Sequence, residues 1–315
     1  MSVKNYQYLK TEEETQSYTK AFQNKALEGV AQMPPFLAVD MEGGCVNRFK
    51  EYPNAQDYQF PSAHKVAQLS IQDAEKCYRH MAQKLKMCGF NLNFAPVVDI
   101  DYGESCPIIG RLERSFGHSV EEVTRYAKVF IQEMRAQGIL TSLKHFPGHG
   151  SAKGDSHAGF VDVSQDWTPT ELEPFFGLSS CADMVMTAHI FNASWDPQHP
   201  ATLSKKALSL LRRNGFKGVI VGDDMHMGAI LENYSFEEGL IKGLQAGIDC
   251  FIYSHNKLAA PGIKDFSIDL ELPERFASTI LDAIKKGILK EKTIQESFQR
   301  IQTLKKKLMH VEFRS

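Results

Sequence analysis

The feature that most constrains the fold of this chain is a regular alternation of two hydrophobic patterns. Short apolar, β-prone runs lie at residues 36–40, 90–98, 139–145, 183–189, 217–223 and 248–253. Between them, apolar residues recur at helical spacing at residues 71–87, 120–137, 205–214 and 236–246. Alternating strands and helices predict a parallel α/β fold, and we expect a (β/α) barrel of the TIM type. A doubly wound sheet would produce the same alternation.

The composition excludes several classes of protein. A hydrophobic content of 43% and a charged content of 23% are ordinary for one globular domain over residues 1–315, and a net charge of −2 does not suggest nucleic acid or an anionic membrane as partner. The apolar runs are too short to span a bilayer, and residues 1–18 lack the apolar core of a signal peptide. The six cysteines form no C-x-x-C pair and the histidines no H-E-x-x-H motif. We therefore expect reduced thiols in a cytoplasmic protein without a metal or other cofactor.

Polar residues collect where the predicted strands end. They are Asp40 and Glu42, Asp99 and Asp101, Lys144 and His145, His189, and Asp223 and Asp224. Because the C-terminal ends of the strands of a parallel barrel form one rim, these side chains are predicted to converge. A site rich in carboxylates with a few cations suits polyhydroxylated substrates and oxocarbenium-like transition states. The pattern therefore favours a carbohydrate as the substrate.

Four segments, in this order along the chain, resemble the motifs of glycoside hydrolase family 3, and most closely those of its bacterial NagZ-type β-N-acetylglucosaminidases. They are LAVDMEGGCVNRF at residues 37–49, NFAPVVD at 93–99 together with IGRLERSFG at 109–117, KHFPGHGSAKGDSH at 144–157, and GFKGVIVGDDMHM at 215–227. The third segment matches the signature K-H-F-P-G-H-G-x(4)-D-S-H at every fixed position. The resemblance implies a TIM-type barrel and retaining hydrolysis of terminal non-reducing β-N-acetylglucosamine through a covalent glycosyl-enzyme intermediate. It also implies a muropeptide substrate from peptidoglycan recycling.

Three residues are implied to carry the chemistry. Asp223, the first aspartate of the D-D pair, matches the family's nucleophile, whereas the sequence alone allows it equally to cap the following helix. His157 matches the acid/base and Asp155 its partner, which would orient the imidazole ring and stabilise its charged form. Without the resemblance, this triplet in a glycine-rich loop predicts a surface turn.

Further residues match the family's sugar-binding positions. They are Asp40, Arg48, Arg114, Lys144 and His145. Lys144 offers hydrogen-bond donors at the end of an apolar strand, and Asp40 can accept hydroxyl protons. For the two arginines, a structural salt bridge to a rim carboxylate is the alternative. His149 and His189 also lie in family motifs, and we expect them to shape the site without carrying protons.

The chain departs from the family pattern at a few positions. Cys45 replaces the arginine of E-G-G-R, Met41 replaces a glutamine, and Gly222 replaces the serine before the nucleophile. None of these changes removes a residue with an implied chemical role, although one cation near the site is lost. Residues 305–307, all lysines, are predicted to form a solvated face of the last helix.

The larger departure precedes the first apolar run. Family members place the first two barrel strands before this point, whereas here only a helix near residues 11–31 is predicted. We therefore expect an open barrel remnant of six strands with an uncovered apolar interior. Its edge at residues 36–40 would be exposed or covered by that helix. Such a chain is expected to be less soluble and less active than one extended upstream.

Three alternative functions stay open. A family 3 β-glucosidase usually carries a second domain with a carboxylate acid/base and lacks the D-S-H triplet, which this chain has. A β-N-acetylglucosaminide phosphorylase is compatible with a histidine acid/base, because histidine does not repel incoming phosphate. A non-catalytic sugar-binding member would fit the absent strands but would not need Asp223 or the triplet at residues 155–157.

Overall fold

The structure is a computed structural model that describes residues 10–29, 32–156, 159–254 and 269–309. Its strands are β1 (Ala38–Val39), β2 (Leu92–Asn93), β3 (Leu140–Phe146), β4 (Val161–Asp162), β5 (Met184–Thr187), β6 (Ile190–Phe191), β7 (Val219–Asp224) and β8 (Cys250–Ile252). Its helices are α1 (Glu12–Leu27), α2 (Ala63–Val66), α3 (Ile71–Met87), α4 (Val120–Ala136), α5 (Glu173–Leu178), α6 (Lys205–Arg213), α7 (Gly228–Leu231), α8 (Phe236–Ala246), α9 (Leu272–Lys285) and α10 (Glu291–Met309). Each predicted apolar run overlaps an observed strand, and each predicted helical segment contains an observed helix.

Six of the strands form one sheet in the order β1-β2-β3-β5-β7-β8, and every neighbouring pair is parallel. Because this order never reverses along the chain, the sheet has the winding of a barrel and the doubly wound alternative is wrong. Among the described residues, β1 and β8 are the sheet edges and no further strand joins them. These residues therefore form a parallel half-barrel with helices, and they do not close a complete barrel. Strands β4 and β6 pair separately, also in parallel.

Serine side chains cap the starts of several helices. Ser70, Ser119, Ser204 and Ser235 each accept a hydrogen bond from the backbone N–H three residues further on, at the starts of α3, α4, α6 and α8. Each bond satisfies a donor that the first helical turn leaves without a partner. Helix α8 ends at Gly247, whose φ of 114° is a conformation that glycine adopts without a steric penalty. These caps position the helices between successive strands.

The outer face of the sheet packs against these helices. Val39, Leu143 and Ile220 belong to the main apolar core, together with side chains of α3 and α4 such as Tyr78 and Phe130. All five residues are at most 1% exposed. Because successive side chains of a strand point to opposite faces, the residues between these positions face the other side of the sheet.

The inner face of the sheet is covered by the C-terminal helix. Inward side chains of the strands form a second apolar cluster that includes Ala38, Leu92, Leu140, Met184 and Val219. Leu304 and Leu308 of α10 complete this cluster and are 4% and 6% exposed. The expectation of an uncovered interior is therefore wrong, because the apolar side of α10 removes these side chains from water.

The lysines of α10 are also not a purely solvated face. Lys307 Nζ lies 2.7 Å from Oδ1 of the buried Asp183. Lys305 Nζ lies 5.3 Å from the centroid of the Phe36 ring, and burial lowers its pKa. Because Phe36 leads into β1, helix α10 contacts the segment next to this edge of the sheet.

Helix α1 packs elsewhere, against the end of α3. Thr19 Oγ1 donates a hydrogen bond of 2.9 Å to the carbonyl of Cys88, which directly follows α3. Glu12 accepts a hydrogen bond from the Tyr58 hydroxyl. In the part of the chain that the structure describes, no helix has the length and apolar character needed to cross a membrane.

Candidate active site

The C-terminal ends of the strands open into a cavity of about 270 Å³. Its polar lining residues are Asp40, Glu42, Arg48, Arg114, Lys144, His145, Asp155, Asp223, Asp224 and Ser254. Its apolar lining includes Phe94, Met186, Met227 and Ile252. The volume lies just below the range of about 300–1,000 Å³ that is usual for small-molecule sites.

Lys144, at the C-terminal part of β3, holds two carboxylates together. Its Nζ lies 3.0 Å from Asp40 Oδ1 and 2.6 Å from Glu42 Oε1, and the lysine side chain is 3% exposed. Burial alone would lower the pKa of Lys144, but Glu42 and Asp40 outweigh burial and raise it. Burial alone would raise the pKa of Asp40, but Lys144 and Arg48 outweigh burial and lower it. Lys144 and Asp40 are therefore both charged at neutral pH.

Arg114 binds Glu42 through two parallel hydrogen bonds. Its Nε and Nη2 donate to the two oxygens of Glu42, each at 2.8 Å, and its Nη1 donates to the carbonyl of Ile108 at 3.0 Å. Burial opposes ionisation of Glu42, but Arg114 and Lys144 hold the pKa of Glu42 well below its usual range. Arg48 is held more loosely, because its Nη2 lies 3.7 Å from Asp40 Oδ2. Its buried Nε has no hydrogen-bond partner in the described part of the chain.

His145 connects this charged group to a buried aspartate. Its Nδ1 lies 2.7 Å from Oδ2 of Asp99, which is 0% exposed, and its Nε2 lies 3.2 Å from Arg114 Nη2. Because a guanidinium can only donate hydrogen bonds, Nε2 is the acceptor and the ring proton lies on Nδ1, toward Asp99. The backbone N–H of His149 also donates to Asp99, at 2.8 Å. Asp99 thus orients His145 from behind the cavity wall.

Strand β7 ends in the two aspartates Asp223 and Asp224. Oδ1 of Asp224 accepts hydrogen bonds from the backbone N–H groups of His226 and Ser254, each at 3.1 Å, and its carbonyl accepts one from His189 Nε2 at 3.0 Å. Asp223 Oδ1 accepts the N–H of Asp224 at 2.8 Å. The next helix, α7, has Met227 at its N-cap, so Asp223 is not the cap of that helix. A strand end therefore presents the Asp223 carboxylate to the cavity.

The loop after β3 carries Asp155 to the cavity, and a buried glutamate holds the start of this loop. Glu171, 1% exposed, accepts hydrogen bonds from the N–H of Gly150 at 3.1 Å and from Ser151 Oγ at 2.5 Å. Burial raises the pKa of Glu171 to about 7. Gly148 has a φ of 114° and packs so closely on this side chain that an added Cβ would lie 2.5 Å from Glu171 Cβ.

A second buried residue lies beneath the same loop. His149 Nε2 is 3.5 Å from Oγ of Ser156, the middle residue of the D-S-H triplet, and the His149 side chain is in edge contact with His145. Burial lowers the pKa of His149 to about 4, so the ring is neutral at pH 7. His157, the predicted acid/base, lies outside the described residues.

A family model described as the glycosyl hydrolase family 3 N-terminal domain matches residues 3–304. The chain belongs to glycosyl hydrolase family 3. This family 3 domain is similar to β-hexosaminidase LpqI of Mycobacterium tuberculosis, with 32% identity over 278 residues, 85% of this chain and 69% of that protein. It is also similar to a β-hexosaminidase of Xylella fastidiosa, with 35% identity over 246 residues, 74% of this chain and 71% of that protein.

Among solved structures, the family 3 β-N-acetylglucosaminidase from Paenibacillus sp. str. FPU-7 matches with a TM-score of 0.81 and 27% identity. The match covers 96% of this chain, and the chain spans 55% of the length of that protein. The predicted family is therefore confirmed, and the chain is a glycosidase of family 3.

All the predicted site residues that the structure describes line the cavity, and His157 lies outside the described residues. Their individual roles stay predictions. Three other residues predicted for the same rim, Asp99, Asp101 and His189, are not among the residues that line the cavity. Asp101 accepts the N–H of Gly103 at 2.7 Å, and His189 lies behind Asp224. Cys45, at the family's arginine position, is exposed, with its Sγ 3.8 Å from the carbonyl of Leu112.

Sequence reasoning missed two residues of the site region. Ser254 directly follows the apolar run at residues 248–253. The search for polar residues at the ends of predicted strands, which identified Asp223, could therefore have found it. Glu171 lies between β4 and α5, and no local pattern marks it as the group that holds Gly150 and Ser151. Only the folded chain brings these residues together.

Proposed function

We propose that this family 3 domain is a retaining β-N-acetylhexosaminidase that hydrolyses terminal non-reducing β-N-acetylglucosamine. The observation that carries the proposal is that Asp223 and Asp155 line the same cavity as the paired charges of Asp40, Glu42 and Lys144. The relatives with 32% and 35% identity are named β-hexosaminidases, which supports the choice of sugar.

In the proposed first step, the carboxylate of Asp223 attacks the anomeric carbon while His157 donates a proton to the glycosidic oxygen. The bond from the anomeric carbon to that oxygen breaks, the leaving group departs as an alcohol, and the sugar stays covalently bound to Asp223. In the second step, His157 removes a proton from water, the water oxygen attacks the anomeric carbon, and Asp223 is released. Asp155 stabilises the imidazolium form of His157. Two inversions give net retention.

The charged side chains supply the hydrogen bonds that a sugar ring needs. Asp40 accepts protons from hydroxyl groups, and Lys144 and Arg48 donate to hydroxyl oxygens. Arg48 is suited to this role because its Nε has no partner in the described residues and its nearest carboxylate oxygen is 3.7 Å away. Arg114 acts through Glu42 and His145, since most of its donors are already used within the protein.

We place the activity in the recycling of peptidoglycan fragments in the cytoplasm, with residues 1–315 as one catalytic domain and an N-acetylglucosaminyl muropeptide as substrate. The family 3 N-terminal domain model covers residues 3–304, which supports a single domain. All six cysteines are free thiols, as expected in a reducing compartment.

The test is turnover of matched chromogenic β-glycosides by the purified chain, with and without phosphate. We expect kcat/KM to be higher for the N-acetylglucosaminide than for the glucoside, and we expect NMR to detect the β-anomer of free N-acetylglucosamine first. A higher value for the glucoside would favour a β-glucosidase. Formation of a sugar phosphate would identify a phosphorylase, and sugar binding without turnover would identify a non-catalytic member.

A further inference from the structure

A buried hydroxyl in the cavity wall has no role in the chemistry described so far. Ser254 follows β8, is 4% exposed and lines the same cavity as Asp223. Its Oγ is buried and has no hydrogen-bond partner in the described part of the chain. Buried hydroxyls are almost always hydrogen-bonded, so one without a protein partner at a binding cavity indicates a partner from the ligand.

The backbone holds Ser254 in a defined place relative to the nucleophile. Its N–H donates to Asp224 Oδ1 at 3.1 Å, and Asp224 in turn directly follows Asp223. Strand β8 also pairs with β7 in the register Asp224 opposite Ile252, two residues before Ser254. A sugar whose anomeric carbon is at Asp223 would therefore lie beside a hydroxyl that can both donate and accept.

Resting on the proposed function, we propose that Ser254 Oγ binds a polar substituent of the sugar in the cavity and so contributes to substrate specificity. The hydroxyl forms this bond only when the sugar is present. Because the site's buried hydroxyl would otherwise stay without a partner, a sugar that lacks the matching substituent binds less well.

The chain contains a matched control. Ser142, on the inner face of β3, also has a buried Oγ without a partner in the described residues, but it is not part of the cavity wall that these residues form. Among the described residues, neither Ser254→Ala nor Ser142→Ala removes a hydrogen bond. We therefore expect each melting temperature to stay within about 2 °C of wild type.

The first measurement compares kcat/KM of the two variants on a chromogenic N-acetyl-β-glucosaminide. We expect Ser254→Ala to lose about 5- to 30-fold and Ser142→Ala to stay within about twofold of wild type. Equal values for the two variants would overturn the proposal.

The second measurement identifies the substituent by a double-mutant cycle. Wild type and Ser254→Ala are compared on the N-acetylglucosaminide, on its 3-, 4- and 6-deoxy analogues and on the glucoside, which lacks the acetamido group. For one of these analogues, we expect the loss of kcat/KM relative to the N-acetylglucosaminide to be about 5-fold larger in wild type than in Ser254→Ala. The proposal would be overturned if Ser254→Ala reduced kcat/KM by the same factor on every substrate.

Failure of the proposed function can be distinguished from failure of the proposal for Ser254. If wild type does not turn over the N-acetylglucosaminide, calorimetry with N-acetylglucosamine replaces the kinetic measurement. Weaker binding by Ser254→Ala than by Ser142→Ala would then support the role of Ser254, and equal binding would overturn it.

Discussion

Buried carboxylates are paired with lysine and arginine at both ends of the sheet, but the two groups differ in how completely they are satisfied. At the N-terminal end, Asp249 accepts hydrogen bonds from Ile220 N, Arg212, Ser297 Oγ and Arg300, at distances of 2.7–2.9 Å. At the C-terminal end, the contact of Arg48 with Asp40 is 3.7 Å long. The first group holds helix α10 through Ser297 and Arg300. The second group faces the cavity, and its Arg48 Nε has no hydrogen-bond partner in the described residues.

The difference shows that the candidate active site is not simply the larger cavity. A cavity of about 440 Å³ opens at the N-terminal end and is larger than the one of about 270 Å³ at the C-terminal end. Three of its charged lining residues already form ion pairs. Lys307 pairs with Asp183, and Arg300 pairs with Asp249. Groups whose hydrogen bonds are complete have little left to offer a ligand, so they serve stability.

The largest expected effect is the loss of turnover in Asp223→Ala. Without the nucleophile the covalent route is lost, and kcat should fall by at least about three orders of magnitude. The melting temperature should stay close to that of wild type, because Asp223 belongs to the group at the cavity. Calorimetry should still detect binding of N-acetylglucosamine. Hydrolysis near the wild-type rate would rule out Asp223 as nucleophile.

The next effect is a dependence on the leaving group in His157→Ala. Substrates with poor leaving groups need protonation in the first step, so their kcat/KM should fall about a hundredfold, and activated aryl glycosides should lose much less. Asp155→Asn should show a milder form of the same pattern, because we propose that Asp155 stabilises the imidazolium form of His157. The measurement is kcat/KM over a series of aryl leaving groups. Equal losses along the series would contradict an acid role for His157.

At the opposite end of the sheet, Asp249→Asn should reduce stability and leave the chemistry intact. Arg212 and Arg300 would lose their shared carboxylate, but their side chains are 28% and 26% exposed and solvent screens them in part. We expect the free energy of unfolding in urea to fall by about 2 kcal/mol. The control is Asp40→Asn, which should lower kcat/KM more and stability less. A greater loss of stability in Asp40→Asn would break the comparison between the two ends.

The smallest effect concerns pH and the buried Glu171. Its pKa is raised to about 7 from 4.5, so between these values the folded chain keeps a proton that the unfolded chain has released. This group therefore lowers stability as pH rises through that window, by at most about 1.4 kcal/mol per pH unit. In Glu171→Gln this contribution should disappear from urea unfolding at pH 5 and pH 7. The control Glu173→Gln, at an exposed neighbouring position, should leave this pH dependence of stability unchanged. An identical pH dependence in wild type and Glu171→Gln would contradict the raised pKa of Glu171.

The sequence by itself determined the six strands of the main sheet, their parallel arrangement and most of the polar residues of the cavity wall. Apolar periodicity is a local property, so each strand run could be recognised without knowing its neighbours. The positions of polar residues at the ends of predicted strands, together with the family motifs, then placed Asp40, Lys144, His145 and Asp223 at one end of the sheet. There they line the same cavity.

Only the tertiary structure decided which charges pair and what fills the inside of the sheet. Lys307 meets Asp183 across 124 positions of the chain, and Lys144 meets Asp40 across 104. The spacing of apolar residues in α10 indicates a buried face, but it does not say that this face meets Leu140 and Val219 rather than the outer core. Such choices depend on the packing of distant segments, and a local sequence pattern carries no information about them.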